Sequence, residues 1–324
     1  MTIRVSHVGS FPFDPTQEYV RKSLEGYISA GVDVPAYPQL RDFVKMFISP
    51  YIEEGILVDV GGMYLVKDID ALRKPPAIQT TVWEAEEFAR IARGSFNYMR
   101  GPVTGAFTLA SNILISPKRD DFSATALADK GILESLFEYV KRNLKYLESI
   151  GYNVLFIDEP MLSVIVGARK LLLGYTPEDI THYVDYVYSG LGGEHCIHVC
   201  GRVSKLLFHS LMGAENLDVV NLEFYDMRDN LGILNKELIE CHSKRLAPGV
   251  ASSKSLATES VDELSYLLRD IVKRVGLNID LVSADDGFGG MRGVAPVDKL
   301  YEIGFEKLRR IKIAVSNLLA EFSA

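Results

Sequence analysis

His198 and Cys200 stand two residues apart in "HCIHVC" (195–200). On an extended strand, residues i and i+2 face the same side, so this imidazole and this thiol would point together. A nitrogen and a sulfur so placed can begin a zinc site, although a buried Cys serves equally as a small apolar filler. Glu223 follows the apolar run "VVNL" (219–222), where a carboxylate is costly unless it is paired or ligates a cation. A neutral imidazole, a thiolate and a carboxylate from neighbouring strand ends leave a fourth position open, as a catalytic zinc requires.

Asp158 and Glu159 close "FIDEP" (156–160), where Pro160 ends the strand. Adjacent strand residues face opposite ways, so only one of the two acids is expected to enter a pocket. The alternative for either is to cap the next helix. Gly9 and Ser10 can offer backbone N–H groups to a carboxylate or form a plain turn. "GFGGMRG" (287–293) has the composition of a phosphate cradle without the spacing of a dinucleotide fingerprint.

These residues follow short β-branched runs, which read as eight strands: 3–8, 56–60, 101–109, 153–158, 196–200, 218–224, 245–250 and 279–284. Amphipathic helical segments lie between most of them, notably 129–151, 176–191 and 260–276. The first ends at Gly151, the second opens with Thr176 as N-cap and Pro177 at the first helical position, and the third ends at Gly276. Alternating strand and helix predict an α/β chain, a (β/α)8 TIM barrel, in which catalytic residues gather where the strands end. Residues 10–55 and 61–100 exceed what a bare crossover needs and read as a helical N-terminal elaboration and a capping insertion. With no low-complexity linker or repeat, 1–324 is expected to be a single domain.

The 324 residues are 48% hydrophobic and 24% charged, with a net charge of −8. That balance gives no electrostatic reason to bind nucleic acid or an anionic membrane, and leaves small molecules as the expected partners. The start, "MTIRVSHVGSFPF", lacks a signal-peptide pattern, and no apolar run approaches the ~20 residues of a membrane span. A cytoplasmic protein is expected. Three cysteines, Cys196, Cys200 and Cys241, suit free thiols in a reducing compartment better than a disulfide framework.

Taken in order, "VGSFP", "GPVTG", "IDEP", "HVC", "NLEF" and "SADDGF" resemble the C-terminal catalytic barrel of cobalamin-independent methionine synthase, especially its short stand-alone archaeal-type members. The resemblance runs over roughly residues 3–320. It implies a methyltransferase of methionine biosynthesis that moves a methyl group to homocysteine, with zinc holding the homocysteine sulfur as a thiolate. His198, Cys200 and Glu223 match three family zinc ligands. The family's second Cys lies in a "D-C-G" turn, which here reads Asp285-Asp286-Gly287, so Asp286 stands at the fourth ligand position. Gly9 and Ser10 match the residues that bind the substrate carboxylate, and Asp158 the one that holds its amino group. Lys254 takes the place of a His that serves as acid for a folate leaving group, which favours a different donor. A family Glu after the second strand has no counterpart in "DVGG" (59–62). The donor expected is a methylated folate or pterin, or a methylcorrinoid. The alternatives are alkyl transfer to another small thiol and a non-catalytic paralogue.

Overall fold

The computed structural model describes residues 2–74, 81–117 and 121–323. Among the described residues, eight strands occur in chain order: β1 (Leu57–Asp59), β2 (Tyr64–Val66), β3 (Arg100–Thr104), β4 (Ile113–Leu114), β5 (Val154–Asp158), β6 (Glu194–Val199), β7 (Val219–Glu223) and β8 (Arg245–Gly249). They form two sheets: a small one, β1-β2-β4, and a parallel one, β3-β5-β6-β7-β8. The fold is mixed α/β with helices covering the parallel sheet.

Three further segments join the two edges of that sheet through isolated parallel bridges. From β8 the pairing passes to 279–283 (Leu246↔Ile279, Gly249↔Ser283) and then to 5–6 (Val5↔Val282). It continues to 34–36 (Ser6↔Val34) and returns to the first residue of β3 (Ala36↔Arg100). Local chemistry interrupts these segments. Pro35 has no N–H to donate, and Leu281 adopts a left-handed φ of 49°, with its N–H turned to Asp280 Oδ1.

Four of the expected strands therefore change, and two of them, 3–8 and 279–284, pair only through isolated bridges. The run 56–60 does form a strand, but β1 pairs antiparallel with β2 in the small sheet. The segment that pairs beside the first run is instead Val34–Ala36, where Pro35 within it and Pro38 after it obscure the strand pattern. The run 101–109 is a strand only as far as Thr104, and an α-helix occupies Ala106–Asn112. The reason is tertiary. Glu159, buried at the end of β5, accepts the N–H groups of Phe107 at 2.9 Å and Thr108 at 3.0 Å, and so supplies the cap that this apolar helix lacks in its own sequence.

The three helices expected from periodicity lie where it puts them. Asp129 accepts from Ile132 N before Lys130–Ser149, Thr176 and Asp179 form a capping box before Pro177–Tyr188, and Ser260 caps Val261–Val275. The 10–55 segment carries two helices, Gln17–Ala30 and Lys45–Glu53. The 61–100 segment carries β2, the helix Trp83–Ile91 and the start of β3; its residues 75–80 lie outside the described residues.

Inside the ring, Val34, Val154, Phe156, Cys196, Val219, Ala247 and Leu281 form one apolar cluster. A much larger core lies between strands and helices. Close packing is tight at Gly105, where a Cβ would lie 2.1 Å from the Glu159 carboxyl carbon. Gly105→Ala is expected to lose about 1–3 kcal/mol of stability, the usual cost of overpacking, measured by urea unfolding. A midpoint equal to that of the natural chain would show that Glu159 moves aside freely.

Candidate metal centre

Parallel pairing aligns the strand ends. Thr104 pairs with Asp158, Asp158 with His198, and His198 with Asn221. Above this level opens a cavity of about 860 Å3 whose lining includes Ser10, Asp158, His198, Cys200, Lys254 and Asp286. Its size suits a small-molecule site.

His198, Cys200 and Asp286 each present one ligand atom, and these atoms lie within 4.8 Å of one another. His198 Nε2 stands 3.5 Å from Asp286 Oδ1. The opposite ring nitrogen, Nδ1, is 2.9 Å from Asn221 Oδ1. Because Asn221 Nδ2 donates to the Ala247 carbonyl at 2.7 Å, its Oδ1 is the atom facing the ring. Nδ1 therefore carries the proton in the neutral imidazole, and the Nε2 lone pair points toward Cys200 and Asp286. Cys200 lies just past β6, which ends at Val199, yet keeps the shared face expected of a strand pair.

Glu223 is buried at the end of β7, and Oε2 has no hydrogen-bond partner. Burial pushes its pKa up, opposed by the Gly201 N–H and Lys254. Its carboxylate is not among the three that meet. Asp286 is, so the structure brings together two of the expected ligands with the residue at the variant position and leaves Glu223 beside them.

The electrostatics favour an ionised Asp286. Burial alone would raise its pKa, but His198 and the Gly287 N–H at 2.6 Å hold it below the usual value. For His198, burial pulls down while Asp286 and Cys200 push up, and the net result lies well above the ordinary imidazole. Burial raises the Cys200 thiol, with Asp286 adding to it and His198 opposing.

Asp158 lines the cavity and Glu159 does not, so one of the two adjacent acids faces it, as strand alternation requires. Burial lifts Asp158 to about 6 against the opposing pull of Arg100 and His198, and its Oδ1 has no hydrogen-bond partner. Glu159 is pushed up to about 7 by burial while it caps the helix after β3. Ser10 lines the cavity, and its Oγ accepts from Gly289 N at 3.2 Å. Gly9 lies behind it with φ 139°, against Gln39 and Pro102. In the "GFGG" run, a Cβ at Gly287 would fall 2.1 Å from Ser10 Oγ, so that glycine lets the two turns touch. Lys254 is exposed on the cavity lining, with its backbone N–H on Ser252 Oγ at 3.2 Å.

Two positions escaped the sequence reading. Asn221 orients His198, and its place in "VVNL", two residues before Glu223 on the same strand face, was the available signal. Arg100, the first residue of β3, is fully buried, and no motif marks it.

A nitrogen, a sulfur and a carboxylate oxygen are the donors zinc takes. The buried, partnerless Nε2 of His198 and Oε2 of Glu223 fit a cation better than they fit a dry core. The residues present thus suit the metal.

Among solved structures, the chain is similar to a B12-independent methionine synthase from Shewanella sp. W3-18-1 in complex with selenomethionine, with a TM-score of 0.73, 15% identity and 99% of each chain covered. It is similar to a methyltransferase from Methanosarcina mazei, with a TM-score of 0.67, 16% identity, and 99% and 94% covered. A GH30 endoxylanase from Clostridium papyrosolvens C71 also shares the fold at a TM-score of 0.53 and 15% identity, with 93% and 70% covered. At such identities the likeness is one of fold. No protein-family model matches the chain, and comparison with curated proteins gives no match. No helix among the described residues is long and apolar enough to cross a membrane.

A cation bound here must displace protons from His198 and Cys200, whose pKa values are both raised. Zinc affinity is expected to fall steeply as pH drops from 8 to 6, and a pH-independent titration would contradict the ligand set. Asn221→Leu is expected to weaken zinc about 10- to 100-fold, the usual effect of removing a ligand's hydrogen-bond partner, as measured by competition with a chromophoric chelator.

Proposed function

We propose that this protein is a zinc-dependent methyltransferase that moves a methyl group to the thiol of homocysteine, giving methionine. One observation carries the reading: the ligand atoms of His198, Cys200 and Asp286 meet within 4.8 Å beside a cavity of about 860 Å3. The fold neighbours named as a methionine synthase and a methyltransferase support it. In this reading the parallel sheet and its bridged segments form a closed (β/α)8 barrel, with the cavity at the rim where the strands end.

His198, Cys200 and Asp286 would hold the metal, with Glu223 next to them as the further carboxylate. Zinc supplies a Lewis acid that favours the thiolate form of the acceptor. Asp158 receives the substrate ammonium on its partnerless Oδ1, and the turn at Gly9 and Ser10 receives the carboxylate. With the amino acid fixed at both ends, its sulfur is aimed at the donor, and such positioning contributes up to ~7–11 kcal/mol in good geometry. The S–CH3 bond forms as the donor–CH3 bond breaks, and the electron pair leaves with the donor fragment. Lys254 at the rim delivers a proton to that fragment. An aspartate oxygen at position 286 is a harder donor than the thiolate of the resembled family and leaves the cation more acidic.

The departure at Lys254 favours a second reading, in which the donor is a methylcorrinoid or the acceptor another small thiol. Zinc stoichiometry of the purified protein, followed by methyl transfer from methylcobalamin and from a methylated folate to homocysteine, separates these. One zinc per chain is expected, with transfer from at least one donor. His198→Ala and Cys200→Ala are each expected to lose the metal and the transfer together. Lys254→Met is expected to slow turnover on the order of 10²-fold with the leaving group that needs the proton. A protein that takes up no zinc, or that binds zinc and transfers from neither donor, sinks the proposal and leaves a non-catalytic paralogue.

A further inference from the structure

The interior of a parallel barrel is normally filled by branched apolar side chains in layers. Here Arg100 intrudes among them and is fully buried. Its guanidinium lies over the Phe156 ring at 3.4 Å from the centroid. Nη1 donates to Asn221 Oδ1 at 3.4 Å, the same oxygen that faces His198 Nδ1 at 2.9 Å. Nη2 lies 3.7 Å from Asp158 Oδ1, and neither Nε nor Nη2 has a hydrogen-bond partner. The register explains the reach: Arg100 pairs with Val154 at the start of β5, whereas Asp158 ends that strand, so the side chain runs along the interior toward the cavity floor.

We propose that Arg100 is a positioning residue for this site: one buried cation orients Asn221 beneath His198 and supplies the countercharge beneath Asp158. It thereby sets both the ring orientation of a metal ligand and the negative wall that selects an acceptor thiol bearing an ammonium group. The second half rests on the proposed reading of Asp158. A guanidinium is suited to the task because it is always charged, planar and less strongly hydrated than an ammonium, and it stacks on an aromatic face while its edges stay free to donate. As filler it would be a poor choice, since an apolar side chain of similar volume is often neutral or stabilising in place of a buried charge.

Arg100→Met removes the charge and keeps the length, and Arg100→Lys keeps a charge without the fork. Binding of homocysteine and of 4-mercaptobutyrate, its counterpart without the amino group, is measured calorimetrically on zinc-loaded protein. The natural chain is expected to prefer homocysteine. In Arg100→Met homocysteine should weaken at least tenfold while 4-mercaptobutyrate stays within twofold, and Arg100→Lys should keep the preference. Equal losses for both thiols, or none, in folded protein overturn the selection role.

The orienting role is read independently from the 15N imidazole shifts of His198 in metal-free protein at a pH where the ring is neutral. A single Nδ1–H tautomer is expected in the natural chain and a mixture in both variants. Unchanged shifts in both variants overturn it. If neither thiol binds the natural chain, the functional reading is what fails, and the 15N result still decides the fate of Arg100. If Arg100→Met does not fold, Arg100→Lys is judged alone: loss of the single tautomer with the homocysteine preference kept supports the proposal, and any other result overturns it.

Discussion

The strand register is the constraint on which the site depends. Because Asp158, His198 and Asn221 pair across three neighbouring parallel strands, their side chains share one level at the strand ends. A one-residue slip in β6 would turn His198 to the opposite face and leave Asn221 without it. Everything chemical here is built on that alignment: the imidazole takes its orientation from the amide beside it, and the lone pair left over meets a thiol and a carboxylate from the loops above.

The register is secured from the other end of the strands. Arg4 donates to Glu194 at 2.7 and 2.6 Å and to Asp280, and Arg245 reaches the same two acids at 2.9 and 2.6 Å. Glu194 and Arg245 are the first residues of β6 and β8, and Arg4 and Asp280 flank the bridge between Val5 and Val282. Two arginines thus clamp four chain segments, Arg4 through bidentate contacts whose planar geometry fixes direction as well as distance and Arg245 through one bond to each acid. The two ends of the strands do different work. At the entry end opposite charges are paired and satisfied. At the exit end His198, Asp158 and Glu223 each keep a polar atom without a partner, and such atoms mark a place made to receive something.

The loops that complete the site are held by carboxylates acting on backbone. Asp285 accepts the N–H groups of Phe224, Tyr225 and Asp226 at 3.0, 3.0 and 2.6 Å, which fixes the turn that follows Glu223. Burial nevertheless raises this acid to about 7. Asn230 donates to the Glu223 carbonyl and to the Gly201 carbonyl, tying the loop after β7 to the one that carries Cys200. Of the three candidate donor atoms, those of His198 and Cys200 come from the end of β6 and that of Asp286 from a separate turn, and their spacing is only as fixed as these backbone bonds make it.

The alternation of strand and helix, the three capped helices, the same-face pair His198 and Cys200, and the rule that one of Asp158 and Glu159 turns inward were legible in the sequence. Each follows from a local period or from a cap written within a few residues. The second segment of the ring was not, because Val34–Ala36 holds its place through isolated bridges among prolines, while the more strand-like 56–60 run pairs elsewhere. Nor could any local rule turn 106–109 into a helix, since its cap is a carboxylate 52 residues away. Sequence determined which residues were chemically able to hold a metal. Tertiary structure decided that Asp286 joins His198 and Cys200 while Glu223 stands beside them, and that Arg100 lies beneath. Distances between groups far apart in the chain are set by strand register and packing, and neither is written in any one segment.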